Sequence, residues 1–90
     1  MNHTNRILIP AHVMARQVGD DLVILDLSKG SYFGLDPIGA QIWRLMSEGR
    51  TLEEICASVQ ETYDAAPKKI ERDIFRLAET LRANELIEIR

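Results

Sequence analysis

The feature that most constrains the fold is the run of residues 25–43, LDLSKGSYFGLDPIGAQIW. A turn at residues 28–30 separates two short apolar segments, and so short a connection joins antiparallel neighbours in a sheet. The second segment, Ser31–Leu35, leads directly into Asp36 and Pro37, which begin a helix because aspartate caps free N–H groups and proline fits the first turn. The chain must therefore leave the sheet at once, which predicts that Ser31–Leu35 is an edge strand.

Two further strands are predicted before this one. Residues 12–18 have a weak period of two, and residues 22–27 form a nearly continuous aliphatic run. Such a run is typical of a central strand that is buried on both faces. Residues 19–21, Gly-Asp-Asp, supply the turn between the two strands. The pattern predicts a three-stranded antiparallel meander.

The two ends of the chain give weaker signals. We expect residues 1–11 to be a flexible or loosely packed segment, because residues 1–5 are polar and without periodicity. Residues 7–9 are apolar, but Pro10 removes a backbone donor, which favours an edge segment or a packed tail. Residues 86–89 are predicted to form a short terminal strand or a packed tail.

Three helices follow the meander. The first begins at Asp36, the second begins at a capping box formed by Thr51 and Glu54, and the third spans about residues 67–84. Each carries one apolar stripe, which predicts a core shared with the sheet. The sequence thus predicts an α+β fold, a winged helix-turn-helix in which three antiparallel strands precede three helices. We expect residues 12–90 to form this single domain.

Charge and composition narrow the function. The net charge of −3 disfavours nucleic acid as the main partner, because neutralising phosphates needs a basic surface. The one cysteine, Cys56, has no partner for an internal disulfide, which fits a reducing compartment. The sequence has neither an apolar run of membrane-spanning length nor a secretory signal pattern. We expect a cytoplasmic protein without a membrane partner.

No pattern of residues indicates catalysis. Cys56 lies on a helical core stripe, where a small buried hydrophobe is the usual interpretation. His3 and His12 are far apart in polar surroundings, and Asp20 and Asp21 lie in a turn. We therefore predict a protein that is not an enzyme and that has no cofactor or metal.

The edge strand suggests a binding function instead. Ser31–Leu35 contains neither a proline nor a charge, the devices that usually protect such an edge. Alternation places Tyr32 and Gly34 on one face of it and Phe33 and Leu35 on the other. An open edge beside a helix can capture a peptide in extended form. Alternatively, the third helix, the terminal segment or a second copy of the chain covers it, so a monomer and a weak dimer both remain open.

A DNA-binding function is the main alternative. Lys69, Arg72 and Arg76 share one face of the third helix, which would be the recognition helix of a winged-helix regulator. Glu71 and Asp73 interrupt this face, and mixed charges are typical of a solvated surface. We therefore expect no nucleic-acid partner.

Several segments together resemble a known family. They are residues 25–43, EGRTLEEI, the turn at Tyr63 and Asp64, ERDIFRLAETL and NELI. In this order and spacing they resemble the PqqD-like family, the recognition elements for leader peptides of ribosomally made, modified peptides (RiPPs). The resemblance covers about residues 12–89, and it is nearest to stand-alone members from lasso-peptide clusters.

The resemblance implies a winged helix-turn-helix that does not bind DNA. It would capture the leader of a precursor peptide by strand addition, beside the third helix. It would then deliver the precursor to a leader peptidase or another maturation enzyme. A PqqD-type chaperone that serves a radical SAM enzyme is the alternative.

The resemblance also implies which residues bind the leader. On the edge strand and the third helix they are Ser31, Tyr32, Phe33, Gly34, Leu35, Asp73, Ile74, Arg76 and Leu77. The chain departs from the family at Asp36, where asparagine is common, and at Glu85, where glycine is common. We expect Asn84 to replace that glycine at the end of the helix.

Overall fold

The computed structural model describes residues 5–90, so the part of the expected N-terminal segment that falls on residues 1–4 lies outside the described residues. Within these residues the chain forms five strands and three helices. The strands are β1 (Ile7–Leu8), β2 (Val13–Val18), β3 (Asp21–Asp26), β4 (Ser31–Leu35) and β5 (Glu88–Ile89). The helices are α1 (Pro37–Ser47), α2 (Leu52–Thr62) and α3 (Pro67–Ala83).

The main sheet has the order β2-β3-β4, and both pairs of strands are antiparallel. Gly19 and Gly30 lie in its two turns at φ values of +62° and +68°, a backbone region that favours glycine. Because α1, α2 and α3 follow this sheet, the predicted α+β architecture is confirmed. β4 lies at an edge of the sheet, as predicted.

β3 differs from its prediction as a strand buried on both faces. Ile24 is fully buried within the core cluster, whereas Val23 and Leu25 are only half-buried and lie outside that cluster. The reason is that the core lies on one face of the sheet, so residues that alternate with Ile24 face away from it.

A second, two-stranded sheet joins the two ends of the chain. β1 pairs with β5 in antiparallel register, and Arg6 and Arg90 exchange backbone hydrogen bonds of 2.8 and 2.9 Å. Ile7 is only 2% exposed and belongs to the core. Residues 7–8 therefore form the edge segment that the apolar run predicts, and pairing with β5 holds them against the core, so this part of the N-terminal segment is not loosely packed. The prediction of a short terminal strand is confirmed.

Local capping explains where α1 and α2 begin. The Asp36 carboxylate accepts a 2.8 Å hydrogen bond from the backbone N–H of Gly39. At α2, the Thr51 hydroxyl accepts from the N–H of Glu54 and the Glu54 carboxylate accepts from the N–H of Thr51, so the predicted capping box is complete. This backbone hydrogen bond lowers the pKa of Glu54.

The end of α3 differs from its prediction. The N–H of Leu86 donates to the carbonyl of Leu81, and the N–H of Glu85 donates to the carbonyl of Arg82, both at 2.9 Å. These two bonds define a Schellman motif. Its left-handed position belongs to Glu85 at φ +61°, not to Asn84, which lies at φ −89°. The glutamate therefore takes the glycine-favouring conformation itself.

Candidate functional site

The alternation of backbone hydrogen bonds along the strands shows which backbone groups of β4 face outwards. In antiparallel pairs, residues bond to one neighbouring strand and then to the other in strict alternation. The N–H of Leu27 donates to the carbonyl of His12 at 2.8 Å, which places Leu25 and Val23 in hydrogen-bonded pairs with β2. Ile24 must therefore bond to β4.

The same alternation continues into the edge strand. Ile24 lies opposite Phe33, so Phe33 directs its N–H and C=O towards β3. Tyr32 and Gly34 consequently direct their N–H and C=O groups away from the sheet. Both residues are exposed, and a Cβ built on Gly34 would have no atom within 4 Å. β4 thus presents two outward donors and two outward acceptors in extended geometry, which is what an added strand requires.

A groove runs beside this edge, between β4 and α3, with α1 forming its floor. Its volume is ≈ 350 Å³. The residues that line it are Phe33, Gly34, Leu35, Asp36, Ile38, Gly39, Ile42, Asp73 and Leu77. Gly39 allows α1 to approach β4 closely, because a Cβ there would lie only 3.2 Å from the Cβ of Leu35.

A smaller and less open cavity of ≈ 140 Å³ adjoins the groove. The two share Ile38, Ile42 and Asp73, and the smaller one extends between α2 and α3. It is lined mainly by apolar side chains, with Tyr63 and Lys69 at its border. Together they form a continuous depression from the β4 edge to the end of α2.

The structure brings most of the predicted site residues together. Phe33, Gly34, Leu35, Asp73 and Leu77 line the groove, and Ile74, which is 1% exposed, lines the adjoining cavity. Ser31 and Tyr32 lie on the same edge strand. Arg76 is exposed and is not among the residues that line either depression.

The groove also contains residues that the sequence analysis missed. Ile38, Gly39 and Ile42 come from α1, and Tyr63 comes from the end of α2. Ile38 is 41% exposed although it lies on the apolar stripe of α1. A residue on an apolar stripe is expected to be buried in the core. The sequence alone does not show that the core ends before Ile38, so its place in the groove was not predicted.

Asp73 places a negative charge at the rim of the groove. Lys69 Nζ lies 2.9 Å from Asp73 Oδ2, and this hydrogen bond lowers the pKa of the carboxyl group, which is half exposed. An exposed i, i+4 pair stabilises the fold little. It does orient both charges over the depression, where they can meet polar groups of a ligand.

The basic residues of α3 do not form a uniform surface. Lys69 is paired with Asp73, while Lys68 and Arg72 lie with Glu71 and Phe75 around a different depression. A DNA-binding helix needs unopposed cations along one face. The observed mixture of charges does not favour that alternative.

The remaining chemistry-bearing groups of residues 5–90 lie outside the groove. Cys56 is buried, and this desolvation raises the pKa of its thiol, which disfavours the reactive thiolate. Within the described part of the chain, no cluster of three or more His, Cys, Asp or Glu side chains is arranged to hold a metal ion. No helix in that same part is both long and apolar enough to cross a bilayer.

The family assignment follows from the match to a family model. The model for coenzyme PQQ synthesis protein D (PqqD) matches residues 21–87, which are 67 of the 90 residues. The chain belongs to the PqqD family. The resemblance predicted from the sequence is therefore confirmed. Among curated proteins, none matches this PqqD-family chain significantly.

Two solved structures are similar to the chain. One is TbiB1 in complex with the TbiA(beta) leader peptide, with 36% sequence identity and a TM-score of 0.85 over 90% of this chain and 94% of that one. The other is lasso peptide synthetase B1 complexed with the leader peptide, with 22% identity and a TM-score of 0.86 over 92% and 98% of the two chains. The second likeness shows the fold alone.

Proposed function

We propose that this chain captures the leader of a ribosomally made precursor peptide as an added strand at β4. The proposal is supported chiefly by the outward N–H and C=O groups of Tyr32 and Gly34, which lie beside an apolar groove. A bound leader in the 36% identical TbiB1 structure supports the same use of this fold. In this arrangement, backbone bonds set the register and the groove selects side chains.

The expected energetics fit a reversible binder. Each backbone hydrogen bond to Tyr32 or Gly34 contributes about 0.5–1.5 kcal/mol net. Burying an apolar leader side chain against Leu77 and Ile38 contributes about 1.5–3 kcal/mol. Ordering a flexible peptide removes much of this gain. The balance favours micromolar to nanomolar affinity, which allows release after processing.

The role in the pathway is delivery rather than chemistry. We infer that the chain is not an enzyme and that it presents the precursor to a leader peptidase in lasso-peptide biosynthesis. Holding the leader beside the peptidase raises the local concentration of the cleavage site to about millimolar. A radical SAM enzyme is the alternative partner. The two possible partners are distinguished by measuring which of them, the leader peptidase or the radical SAM enzyme, becomes more active on the precursor when the chain is added.

The test of capture uses a matched pair of variants at Gly34. Gly34→Pro removes one outward N–H, and proline is tolerated at a sheet edge when its missing donor faces solvent. Gly34→Ala keeps the N–H, and its Cβ meets no atom within 4 Å. In a fluorescence-anisotropy titration with labelled leader, Gly34→Pro should weaken binding at least tenfold and Gly34→Ala less than threefold. Equal affinities in the two folded variants would contradict strand addition.

A second pair of variants tests the groove. Leu77→Glu places a charge on the half-buried wall of the groove, whereas Gln60→Glu adds the same charge on α2, away from it. We expect only Leu77→Glu to abolish leader binding. A labelled DNA duplex serves as the control ligand. Salt-sensitive DNA binding without leader binding would support the winged-helix regulator instead.

A further inference from the structure

Asp26, the last residue of β3, is buried although it carries an ionisable side chain. It is 2% exposed and is the only buried polar or charged residue within residues 5–90. One of its carboxylate oxygens, Oδ2, has no hydrogen-bond partner among the described residues. Burying a carboxylate oxygen without a partner costs stability. The position therefore carries a cost, which makes the bonds of the other oxygen informative.

That other oxygen organises the turn that leads into β4. Asp26 Oδ1 accepts hydrogen bonds from the Ser28 hydroxyl at 2.7 Å, from the Ser28 N–H at 3.0 Å and from the Lys29 N–H at 3.1 Å. The carbonyl of Asp26 also accepts from the N–H of Gly30 at 2.9 Å. Asp26 thus bonds to each of the three residues that precede Ser31, where β4 begins.

The two halves of β4 are held in different ways. At its end, Leu35 is 5% exposed and belongs to the core, and α1 follows. At its start, Ser31 and Tyr32 are both exposed and lie outside the core cluster. Pairing with β3 and the geometry of the turn are what hold this half in register. Tyr32, with one of the two sets of outward backbone groups, lies in the half that depends on the turn.

We propose that Asp26 is a positioning residue for leader capture, which holds the start of β4 in extended geometry through the β3–β4 turn. This inference rests on the proposed capture, because it concerns the same edge. A preformed edge favours strand addition, since ordering backbone groups during binding costs affinity. A β4 that frays at Ser31 keeps the outward groups of Gly34 and loses those of Tyr32.

A second connection to the turn is weaker. Lys29 Nζ lies 2.9 Å from Glu85 Oε1 at the end of α3, but the two side chains are 49% and 71% exposed. Exposed ion pairs of this kind contribute little. Lys29→Gln removes the ammonium group and keeps the N–H that bonds to Asp26. This variant therefore separates the ion pair from the geometry of the turn.

The test compares leader affinity in matched variants. Asp26→Ala removes the acceptor, whereas Asp26→Asn keeps an oxygen for the N–H groups of Ser28 and Lys29. Ile7→Ala loses buried contacts in the other sheet, so it controls for general destabilisation. The probe is the labelled leader of the precursor encoded in the same gene cluster, and affinity is measured by fluorescence anisotropy. Thermal melts of each variant give its folded fraction at the temperature of the titration.

We expect Asp26→Ala to weaken leader binding about fivefold or more, because the two backbone bonds at Tyr32 are lost. Asp26→Asn, Lys29→Gln and Ile7→Ala should bind within about twofold of the parental chain. Rescue by asparagine is the decisive contrast, since Asp26→Asn restores the acceptor without restoring the charge. A role in stability alone predicts instead that affinity follows the melting temperature across all four variants.

Amide hydrogen exchange in the free protein tests the geometry directly. Ser31 lies opposite Asp26, and alternation directs its N–H towards β3, as at Phe33. In Asp26→Ala, exchange of the Ser31 amide should rise about tenfold relative to that of Phe33. Should Asp26→Ala not fold, Ser28→Ala removes the 2.7 Å bond alone. It should shift leader affinity and Ser31 exchange in the same direction by about twofold to threefold.

Several results would overturn the proposal. Unchanged leader affinity in folded Asp26→Ala is one, and a Ser31 amide that exchanges as slowly as in the parental chain is another. Equal losses of affinity in Asp26→Ala and Ile7→Ala would assign the effect to stability. An equal loss in Asp26→Asn would contradict the role of the acceptor. If the parental chain binds no leader, capture is refuted, and Ser31 exchange still decides whether Asp26 holds the start of β4.

Discussion

At Glu85 the backbone adopts a left-handed conformation, φ +61°, although the side chain is an ordinary one. The position closes the Schellman motif of α3, and Lys29 Nζ lies 2.9 Å from Glu85 Oε1. Both members of this ion pair are about half or more exposed, so it offsets little of the strain. The sequence predicts that α3 ends here. It does not predict which residue is strained, since asparagine and glutamate both precede the apolar Leu86 and asparagine has the better intrinsic tolerance.

Replacing Glu85 tests this strain. Glu85→Gly relieves a conformation that costs an L-residue roughly 1–2 kcal/mol, and it adds chain entropy of about 0.5–1 kcal/mol to the unfolded state. We expect a net stabilisation of about 0.5–1 kcal/mol by urea denaturation. Glu85→Ala is the matched control, because it loses the ion pair and keeps the strain. A gain of stability in Glu85→Ala as large as that in Glu85→Gly would contradict the assignment.

Secondary-structure elements that depend on contacts between residues close in the sequence are predicted better than those that depend on distant residues. α1 and α2 begin where Asp36 and Thr51 predict, because each cap bonds to a residue three positions away. The pairing of β1 with β5 joins residues about eighty positions apart, and two-residue strands carry no periodicity. Local patterns therefore predict an edge segment or packed tail at residues 7–9, but they do not identify β5 as its pairing partner.

The β1–β5 pairing predicts a specific stability difference. Ile7→Ala should cost about 2–4 kcal/mol of unfolding free energy, since a buried isoleucine loses its contacts and leaves a cavity. Leu8→Ala, at an exposed neighbouring position, should cost less than about 1 kcal/mol. Thermal or urea denaturation followed by circular dichroism measures both. Similar small losses for the two variants would mean that the N-terminal segment does not contribute to the core.

For the whole molecule, the fold and most of the residues that line the candidate groove were predictable, and the limits have physical causes. The edge position of β4 follows from the immediate start of α1, and the family resemblance implied the α3 side of the groove. The floor of the groove was missed because Ile38 and Ile42 belong to a stripe that resembles ordinary core. The resemblance also implied Arg76, but this residue is not among those that line the groove.

Acid should destabilise the molecule as a whole. Hydrogen bonds lower the pKa of four carboxyl groups in the fold. They are Asp26, bonded chiefly by the Ser28 hydroxyl, Glu54 by the Thr51 N–H, Asp73 by Lys69 and Glu79 by Arg82. A carboxyl group with a lowered folded-state pKa stabilises the fold fully above its ordinary value, here 3.8 to 4.5. That stabilisation is lost as the pH falls through the lowered values.

We therefore expect the melting temperature to be flat above about pH 5 and to fall steadily below pH 4. Asp26 should contribute visibly, because Asp26 Oδ1 accepts from Ser28 Oγ at 2.7 Å and from the N–H groups of Ser28 and Lys29 at 3.0 and 3.1 Å. Asp26→Asn should lower the melting temperature at pH 7 and flatten the acid slope. A pH profile of Asp26→Asn parallel to that of the parental chain would show that this carboxylate is not one of the groups responsible.

The most direct measurement of leader capture at β4 is amide hydrogen exchange, resolved by residue, with and without saturating leader. In the free protein, the Phe33 amide should exchange slowly because it bonds to Ile24, while the Tyr32 and Gly34 amides should exchange quickly. Strand addition predicts that leader protects Tyr32 and Gly34 and leaves Phe33 protected throughout. A leader that binds while both outward amides keep their fast exchange would contradict the account.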